Sequence, residues 1–309
     1  MDNDQQLPAA TDLHPPPGEW PSLRSADGRC AAQQLISRHR LRVVYQPIVD
    51  LRHRRTFAYE ALTRSDAPGS SGPRELFDRA VCAGCAGVLG RAVRQLASTG
   101  APDLPLFVNV HPKELGERWL WQADDPVYHH GPAIHLEITE SAPLGRLETC
   151  RSLLEHLRAR RIEVAIDDLG SGFSNLSHLA ILRPRFAKLD RSLVRGLTRR
   201  SRLFLLIRGL VQLCEDLDIE VIAEGIETEA EAEAIVEAGA PYGQGYLFAR
   251  PAYPVPAVSW PERLVSADSD VAPTCKAAPK SHVRVRGSQS EADDDPAMAE
   301  VERLRVASR

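Results

Sequence analysis

The stretch VAIDDLGSGF, residues 164–173, runs three apolar residues, Val164, Ala165 and Ile166, straight into two adjacent carboxylates, Asp167 and Asp168. An uninterrupted apolar run reads as a strand buried on both faces, as strands of a parallel sheet do. Two acids at the end of such a strand repel each other and lose hydration. They stay ionised together only where cations hold them. Neighbouring strand residues point to opposite sides, so the pair can serve two ions or bracket one. A solvated Asp-Asp turn is the competing interpretation. Gly170 and Gly172 give the loop its turns; a phosphate-cradling role for this GSG run is disfavoured, because the two acids before it repel a bare phosphate.

Outward from this strand the same pattern recurs. LPLFVNV carries Asn109 near its end, and AIHLEIT carries Glu137 ahead of the helical run LETCRSLLEHLRARR. RFAKLD brings Lys188 and Asp190 and leads into SRLFLLIRGLVQLCEDL. EVIAEGI brings Glu224 ahead of EAEAEAIVEAGA, and YGQGYLFARP closes the series with Gln244. Toward the N-terminus, AAQQLISRHR suits a short helix. RVVYQPIVDL and HRRTFAYEALTR, the second with Glu60 embedded, are strands so close together that they predict a hairpin. Strands alternating with helices of ten or more residues indicate a parallel sheet with helical crossovers. Eight strand candidates fit a TIM-like (β/α)₈ barrel of about 250 residues, with an antiparallel first strand. The barrel domain is expected over residues 29–262. The polar, Pro-rich segment 1–28 and the Pro/Ser-rich tail 263–309 are expected to be disordered.

Composition sets the bounds. A net charge of −4 gives no basis for binding a nucleic-acid polymer. The acidic, Pro-rich start has neither the basic end nor the apolar core of a signal peptide. The run LFLLIRGLVQL from Leu203 is interrupted by Arg208 and too short for a membrane span, so a soluble cytoplasmic protein is the expectation. Cys82 and Cys85 form a C-x-x-C pair without the second pair or the histidines that a zinc site needs. Their small-residue surroundings, AVCAGCAGVLG, predict a close-packed helix with buried, reduced thiols.

Barrel enzymes gather their reacting groups at the C-terminal ends of the strands. That rim would carry Glu60, Asn109, Glu137, Asp167, Asp168, Lys188, Asp190, Glu224 and Gln244. So many carboxylates around one mouth call for cations, and a single lysine is too little. The oxygen-only donor set favours Mg²⁺ or Mn²⁺ over zinc, and two ions sharing a carboxylate suit displacement at phosphorus. His111 is expected to pack a loop, and His129 and His130 to be solvated. Glu140 and Glu227, each three residues past a rim acid, are candidates for anchoring loops.

These residues stand in a set of motifs, YQPIVD, YEALTR, FVNVHPKEL, LEITES, IDDLGSGFSNL, AKLDRSLV, VIAEGIET and QGYLFARP. In order and spacing the set resembles the EAL-domain phosphodiesterases of cyclic di-GMP over residues 35 to 255. The resemblance implies a barrel with an antiparallel first strand and hydrolysis of cyclic di-GMP to linear pGpG, assisted by two Mg²⁺ or Mn²⁺ ions. It implies Glu60, Asn109, Glu137 and Asp167 on the first metal, with Asp167 bridging to a second held also by Asp168. Asp190 and Glu224 would lie near that second ion. Lys188 would orient the attacking water and Glu224 would be the general base. Gln46, Arg64 and Gln244 resemble substrate-contacting positions, and Glu140 a residue that steadies the Asp-pair loop. A stand-alone protein forming a homodimer through that loop and the helix after Asp190 is the family expectation. Where the family commonly has DDFGTGYSSL this chain has DDLGSGFSNL, so Phe173 lacks a phenol hydroxyl. The alternative is a catalytically silent cyclic di-GMP receptor or protein-interaction module, which would usually have lost a ligand, the lysine or the base.

Overall fold

Period-two alternation, read along eight short strands, builds the frame. The computed structural model describes residues 41–65, 72–116, 119–139, 144–170 and 176–261. The expectations for residues 1–28, for a helix near residue 35, for Glu140, for the loop tip with Gly172 and Phe173, and for 263–309 lie outside these. All described residues belong to the first of two units of the chain, Met1–Ala267 and Asp268–Arg309.

Strands β1 (Leu41–Asp50) and β2 (Arg55–Ser65) form the expected antiparallel hairpin. Asp50 Oδ1 holds its turn by accepting from the backbone N–H groups of Arg52 and His53 at 3.1 and 3.0 Å. From β2 the sheet runs parallel through β3 (Leu106–Val110), β4 (Ile134–Thr139), β5 (Glu163–Leu169), β6 (Phe186–Leu189), β7 (Glu220–Ala223) and β8 (Tyr242–Gly243). β8 then closes antiparallel onto β1. The result is a closed eight-stranded barrel in sequence order. Its first strand is antiparallel to both neighbours, as the early hairpin predicts.

Helices α1 (Pro73–Cys82) and α2 (Ala86–Gly100) connect β2 to β3, and α3 (Leu144–Ala159) connects β4 to β5. α4 (Ser177–Leu182) precedes β6, α5 (Arg191–Val194) and α6 (Arg202–Asp216) precede β7, and α7 (Glu229–Ala238) precedes β8. Between β3 and β4 the described residues hold only 3₁₀ turns, ending with Pro126–Tyr128. Outward-facing Leu, Ile and Val side chains of the strands pack with the helices in the main core.

The expected continuous helix through the cysteines is broken. Gly84 takes a left-handed φ of 65°, and its N–H and that of Cys85 return to the carbonyls of Val81 and Ala80 at 3.1 and 2.9 Å. That is a glycine-terminated Schellman end, which the small-residue composition hid. It separates the two thiols: Cys85 is buried, whereas Cys82 is exposed rather than buried as expected.

A second unforeseen feature ties α2 to the loop after β3. Arg94 is fully buried and forks onto Asp125 at 3.0 and 2.8 Å, with its third nitrogen 2.6 Å from Glu114. Glu114 in turn accepts the His111 N–H at 2.9 Å. The approach is so close that a Cβ at Gly90 would sit 1.9 Å from Glu114 Oε2. Losing one partner of such a buried cluster costs ~3–5 kcal/mol.

Inside the barrel, Ile48, Ala58, Phe107, Ala165, Phe186 and Ile222 form a dry layer. Pairing jumps from Ile48↔Ala58 to Val49↔Thr56, so Phe57 is the extra residue of a β-bulge. It stacks on Tyr242 at 4.3 Å and lies 5.7 Å from Phe186, adding an aromatic floor to the barrel. His135 joins this layer, 4.4 Å from Phe107 and 4.9 Å from Phe186. Burial pushes its pKa down to about 4, so the ring is neutral at ordinary pH.

Candidate active site

Side chains two apart on a strand share a face. Each residue of the dry layer therefore has a successor one step nearer the mouth. Ala58 leads to Glu60, Phe107 to Asn109, His135 to Glu137, Ala165 to Asp167, Phe186 to Lys188, Ile222 to Glu224 and Tyr242 to Gln244. On the reversed β1, Ile48 leads to Gln46. The whole inner layer changes from apolar to polar in one step.

Lys188 stands at the centre of the upper layer and is 1% exposed. Its ammonium lies 2.5 Å from Glu224, 2.7 Å from Glu137, 3.3 Å from Asp167 and 3.4 Å from Glu60. The lysine that looked too weak to balance the ring thus touches four of its acids at once. Asn109 bridges Glu60 and Glu137, donating at 3.2 and 3.1 Å. Gln244 donates to Glu60 at 2.7 Å and to Gln46 at 3.1 Å, and Gln46 donates to the Ala249 carbonyl at 3.1 Å.

The Asp pair departs from simple alternation. Pairing of β5 with β6 is irregular between Ile166 and Leu169, and Asp168 takes a left-handed φ of 64°. Short acidic side chains tolerate that region. Asp167, Asp168 and Glu224 consequently each bring a carboxylate oxygen within 4.8 Å of the others. Asp190 caps α5, its Oδ1 accepting from the Ser192 N–H at 2.9 Å. Gly225 makes the turn after Glu224 at a φ of 69°, where a Cβ would meet that of Arg191 at 2.3 Å.

Electrostatics follow from this crowding. Burial, joined by the charge of Glu60, pushes Glu137 well above the ordinary carboxylate range. Burial, with Asp167 and Glu60, moves Glu224 up to about 8 against the pull of Lys188. Burial and Asp167 put Asp168 at about 6. Burial pushes Glu60 upward as well, but Lys188, Gln244 and Asn109 outweigh it and hold Glu60 below its usual value. Burial opposes the Lys188 charge, yet the surrounding carboxylates raise its pKa well above the usual lysine range.

The donor set fits hard divalent cations. It consists of oxygens, with no His or Cys among the residues gathered here. Gln244 Oε1 is buried without a hydrogen-bond donor, and Glu137 Oε1 and Asp167 Oδ1 face only the shared Lys188 ammonium, 2.7 and 3.3 Å away. One ammonium shared among four carboxylates leaves the ring short of positive charge.

The remaining expected residues stand further out. Arg64 is four residues beyond Glu60 on the same face of β2, about 13 Å along the strand, and it donates to the Thr63 carbonyl at 2.9 Å. The Glu227 carboxylate is exposed, and its residue contributes a backbone N–H instead. That N–H goes to Glu231, whose carboxylate also accepts from Thr228 and Gly196, at 2.9, 3.0 and 2.7 Å. The described anchor of this loop is therefore Glu231, and the Thr228-x-x-Glu231 capping box signals it in the sequence. His111 stacks on Phe77 at 5.9 Å, a loop-packing role as expected. His130 is not simply solvated: its Nε2 lies 2.8 Å from the Leu104 carbonyl, while His129 is exposed.

Comparison with known proteins places this geometry. Residues 29–251 match the EAL domain. The uncharacterized protein Rv1354c of Mycobacterium tuberculosis is 34% identical over 226 residues, 68% of this chain and 36% of that protein. The cyclic di-GMP phosphodiesterase RocR of Pseudomonas aeruginosa is 36% identical over 166 residues, 51% of this chain and 41% of that protein. The chain thus spans well under half the length of these curated relatives. Among solved structures, Klebsiella pneumoniae BlrP1 in calcium and manganese complexes with cyclic di-GMP superposes with a TM-score of 0.61. It is 30% identical, over 69% of this chain and 56% of that one.

Proposed function

The chain belongs to the EAL-domain family, and on that premise we propose that it is a metal-dependent phosphodiesterase that hydrolyses cyclic di-GMP to linear pGpG. The observation that carries this reading is the ring of Glu60, Glu137, Asp167 and Glu224 drawn around one buried lysine. Relatives of similar sequence bear the name cyclic di-GMP phosphodiesterase, and BlrP1 was solved with that nucleotide and a divalent ion.

In this proposal Glu60, Asn109, Glu137, Asp167 and Asp168, with Asp190 and Glu224 close by, would hold two Mg²⁺ or Mn²⁺ ions. When bound, such ions cancel the charge of a dianionic substrate that this acidic mouth would otherwise repel, and they acidify water. The protein's own residues do the rest. Lys188 donates to the attacking water and fixes its direction. Glu224 takes the water's proton at Oε1, the atom now 2.5 Å from Lys188 Nζ. Water oxygen bonds to phosphorus as the bond to the bridging ester oxygen breaks, and that oxygen takes a proton from solvent, so the ring opens at one phosphodiester. Gln46 and Gln244, already joined to each other, hold the nucleotide at the floor of the mouth. Arg64 forks onto a phosphate or stacks on guanine from the rim. Glu140 and Glu227 are assigned to the loops around the site, the latter through its N–H.

The same proposal includes a cytoplasmic protein acting as a homodimer through the helix following Asp190. α6 presents Leu206 and Leu213, 53% and 38% exposed, with Leu217 beyond its end at 42%, in one stripe at heptad spacing. Among the described residues no helix is long and apolar enough to cross a membrane.

Purified protein with Mn²⁺ or Mg²⁺ is expected to convert cyclic di-GMP to pGpG, and with EDTA to stop. Glu60→Ala should lower the rate by at least about 10³-fold while leaving circular dichroism unchanged. Tight binding of cyclic di-GMP without turnover under either metal would identify a receptor instead.

A further inference from the structure

The chain carries a second concave site at the opposite end of the barrel. A cavity of about 560 Å³ opens where β4 and β5 begin, with Tyr128, His130, Gly131, Arg160, Arg161 and Ile162 in its wall. That volume falls in the range of small-molecule sites, about 300–1,000 Å³. Its wall holds two arginines and a histidine but no carboxylate. That sign is the reverse of the barrel mouth, where four acids surround one lysine. Another cavity, of about 240 Å³, sets Arg52 and Arg185 against Glu215, Asp218 and Glu220, so acids outnumber arginines there.

Glu163, next to Ile162, is not part of the cavity wall, and the acids beside the wall's other segment, Asp124 and Asp125, are already taken. Arg91 holds Asp124 at 3.1 Å and Arg94 holds Asp125 at 2.8 Å. Among the described residues neither Arg160 nor Arg161 meets a carboxylate. Arg160 is nevertheless placed. Its guanidinium carbon lies 5.5 Å from the Tyr128 ring centroid, and one of its nitrogens donates to His156 Nδ1 at 2.9 Å. Those contacts orient the fork and leave further N–H groups for a ligand.

Arg161 sits at the left-handed residue that ends α3, with φ at 62°. Its N–H returns to the Arg158 carbonyl at 2.9 Å and that of Ile162 to Leu157 at 3.0 Å. Glycine is the usual residue there. An arginine accepts backbone strain that a glycine would not feel, and in exchange puts a guanidinium at the cavity rim.

We propose that this cavity is an anion site, separate from the acidic mouth and independent of metal, that takes a small phosphate-bearing molecule between Arg160 and Arg161. Phosphate oxygens match two guanidinium forks, and the Tyr128 and Ile162 surfaces give the remainder of a ligand an apolar wall.

The test is calorimetric titration of the full-length protein with inorganic pyrophosphate in EDTA at low ionic strength, where the metal-free mouth repels the anion. Saturable binding is expected, weakening as salt is added. Arg160→Gln and Arg161→Gly should each weaken it by at least about tenfold. Arg161→Gly places glycine at a left-handed position, so its melting temperature should hold or rise, separating loss of charge from loss of fold. No uptake by the wild type up to about 10 mM, or undiminished uptake by the Arg160→Gln/Arg161→Gly double variant, would overturn the assignment.

Discussion

The barrel interior holds two layers one strand step apart, and they obey opposite rules. The lower, with Phe107, Phe186, Ile222 and the bulged Phe57, is apolar and aromatic and needs nothing from outside the chain. The upper, with Glu60, Glu137, Asp167 and Glu224 around Lys188, packs four like charges around a single ammonium. Such a layer opposes folding unless positive charge is supplied. The lower layer thus holds the barrel shut, and the upper is the layer to which the proposed chemistry belongs. Even the near-exception fits this division: His135 sits neutral among the rings below, while Glu137, two residues on, is buried among charges above.

Substitutions in each layer should separate the two duties. The largest effect is expected at Lys188→Met. It should lower cyclic di-GMP turnover by about 10²–10⁴-fold, and it removes the ammonium that four carboxylates share. In EDTA the variant should also be less stable by ~3–5 kcal/mol, a loss that Mn²⁺ narrows. Denaturant melts with and without Mn²⁺ read this directly; a metal-independent loss would make Lys188 a packing residue only.

Phe107→Ala is the counterpart below. A phenyl ring lost from the dry layer costs ~3–5 kcal/mol, yet turnover per folded molecule should fall far less than with Lys188→Met. Equal collapse of activity at a temperature where the variant remains folded would erase the distinction between the layers.

The smallest effect is expected outside both layers, at Glu231→Gln. Backbone N–H groups of Gly196, Glu227 and Thr228 outweigh burial and hold the Glu231 carboxylate below its ordinary pKa. Its contribution is therefore present above the ordinary carboxylate range and fades as pH falls through the lowered folded value. The variant should be weaker by ~1–3 kcal/mol at neutral pH and show a flatter acid limb in its stability profile. An acid limb identical to wild type would remove Glu231 as the loop anchor.

What was legible in the sequence divides along the same line. Apolar strands that lead into a polar residue disclosed the barrel, because buried parallel strands have almost no other appearance. Local spacing also placed Glu60, Asn109, Glu137, Lys188 and Glu224 on one rim, since strand periodicity fixes which residues share a face. The helix break at Gly84 was hidden because a run of Ala, Gly and Cys suits a helix and its end equally well. The Arg94–Glu114–Asp125 cluster joins residues up to 31 apart in sequence, a separation no local pattern encodes. The central place of Lys188 was likewise invisible, for strand spacing gives height along the barrel but not convergence across it. The left-handed backbone of Asp168 adds a turn that alternation alone would not predict.

The central claim is that the upper layer is built to hold two divalent cations. Calorimetric titration of Mn²⁺ into the EDTA-stripped full chain measures that number without any assumption about turnover. The account predicts two equivalents bound by the wild type, one by Asp168→Asn, and a marked loss of affinity in Glu60→Ala. No saturable Mn²⁺ binding, or binding that Glu60→Ala and Asp168→Asn leave unchanged, would contradict it.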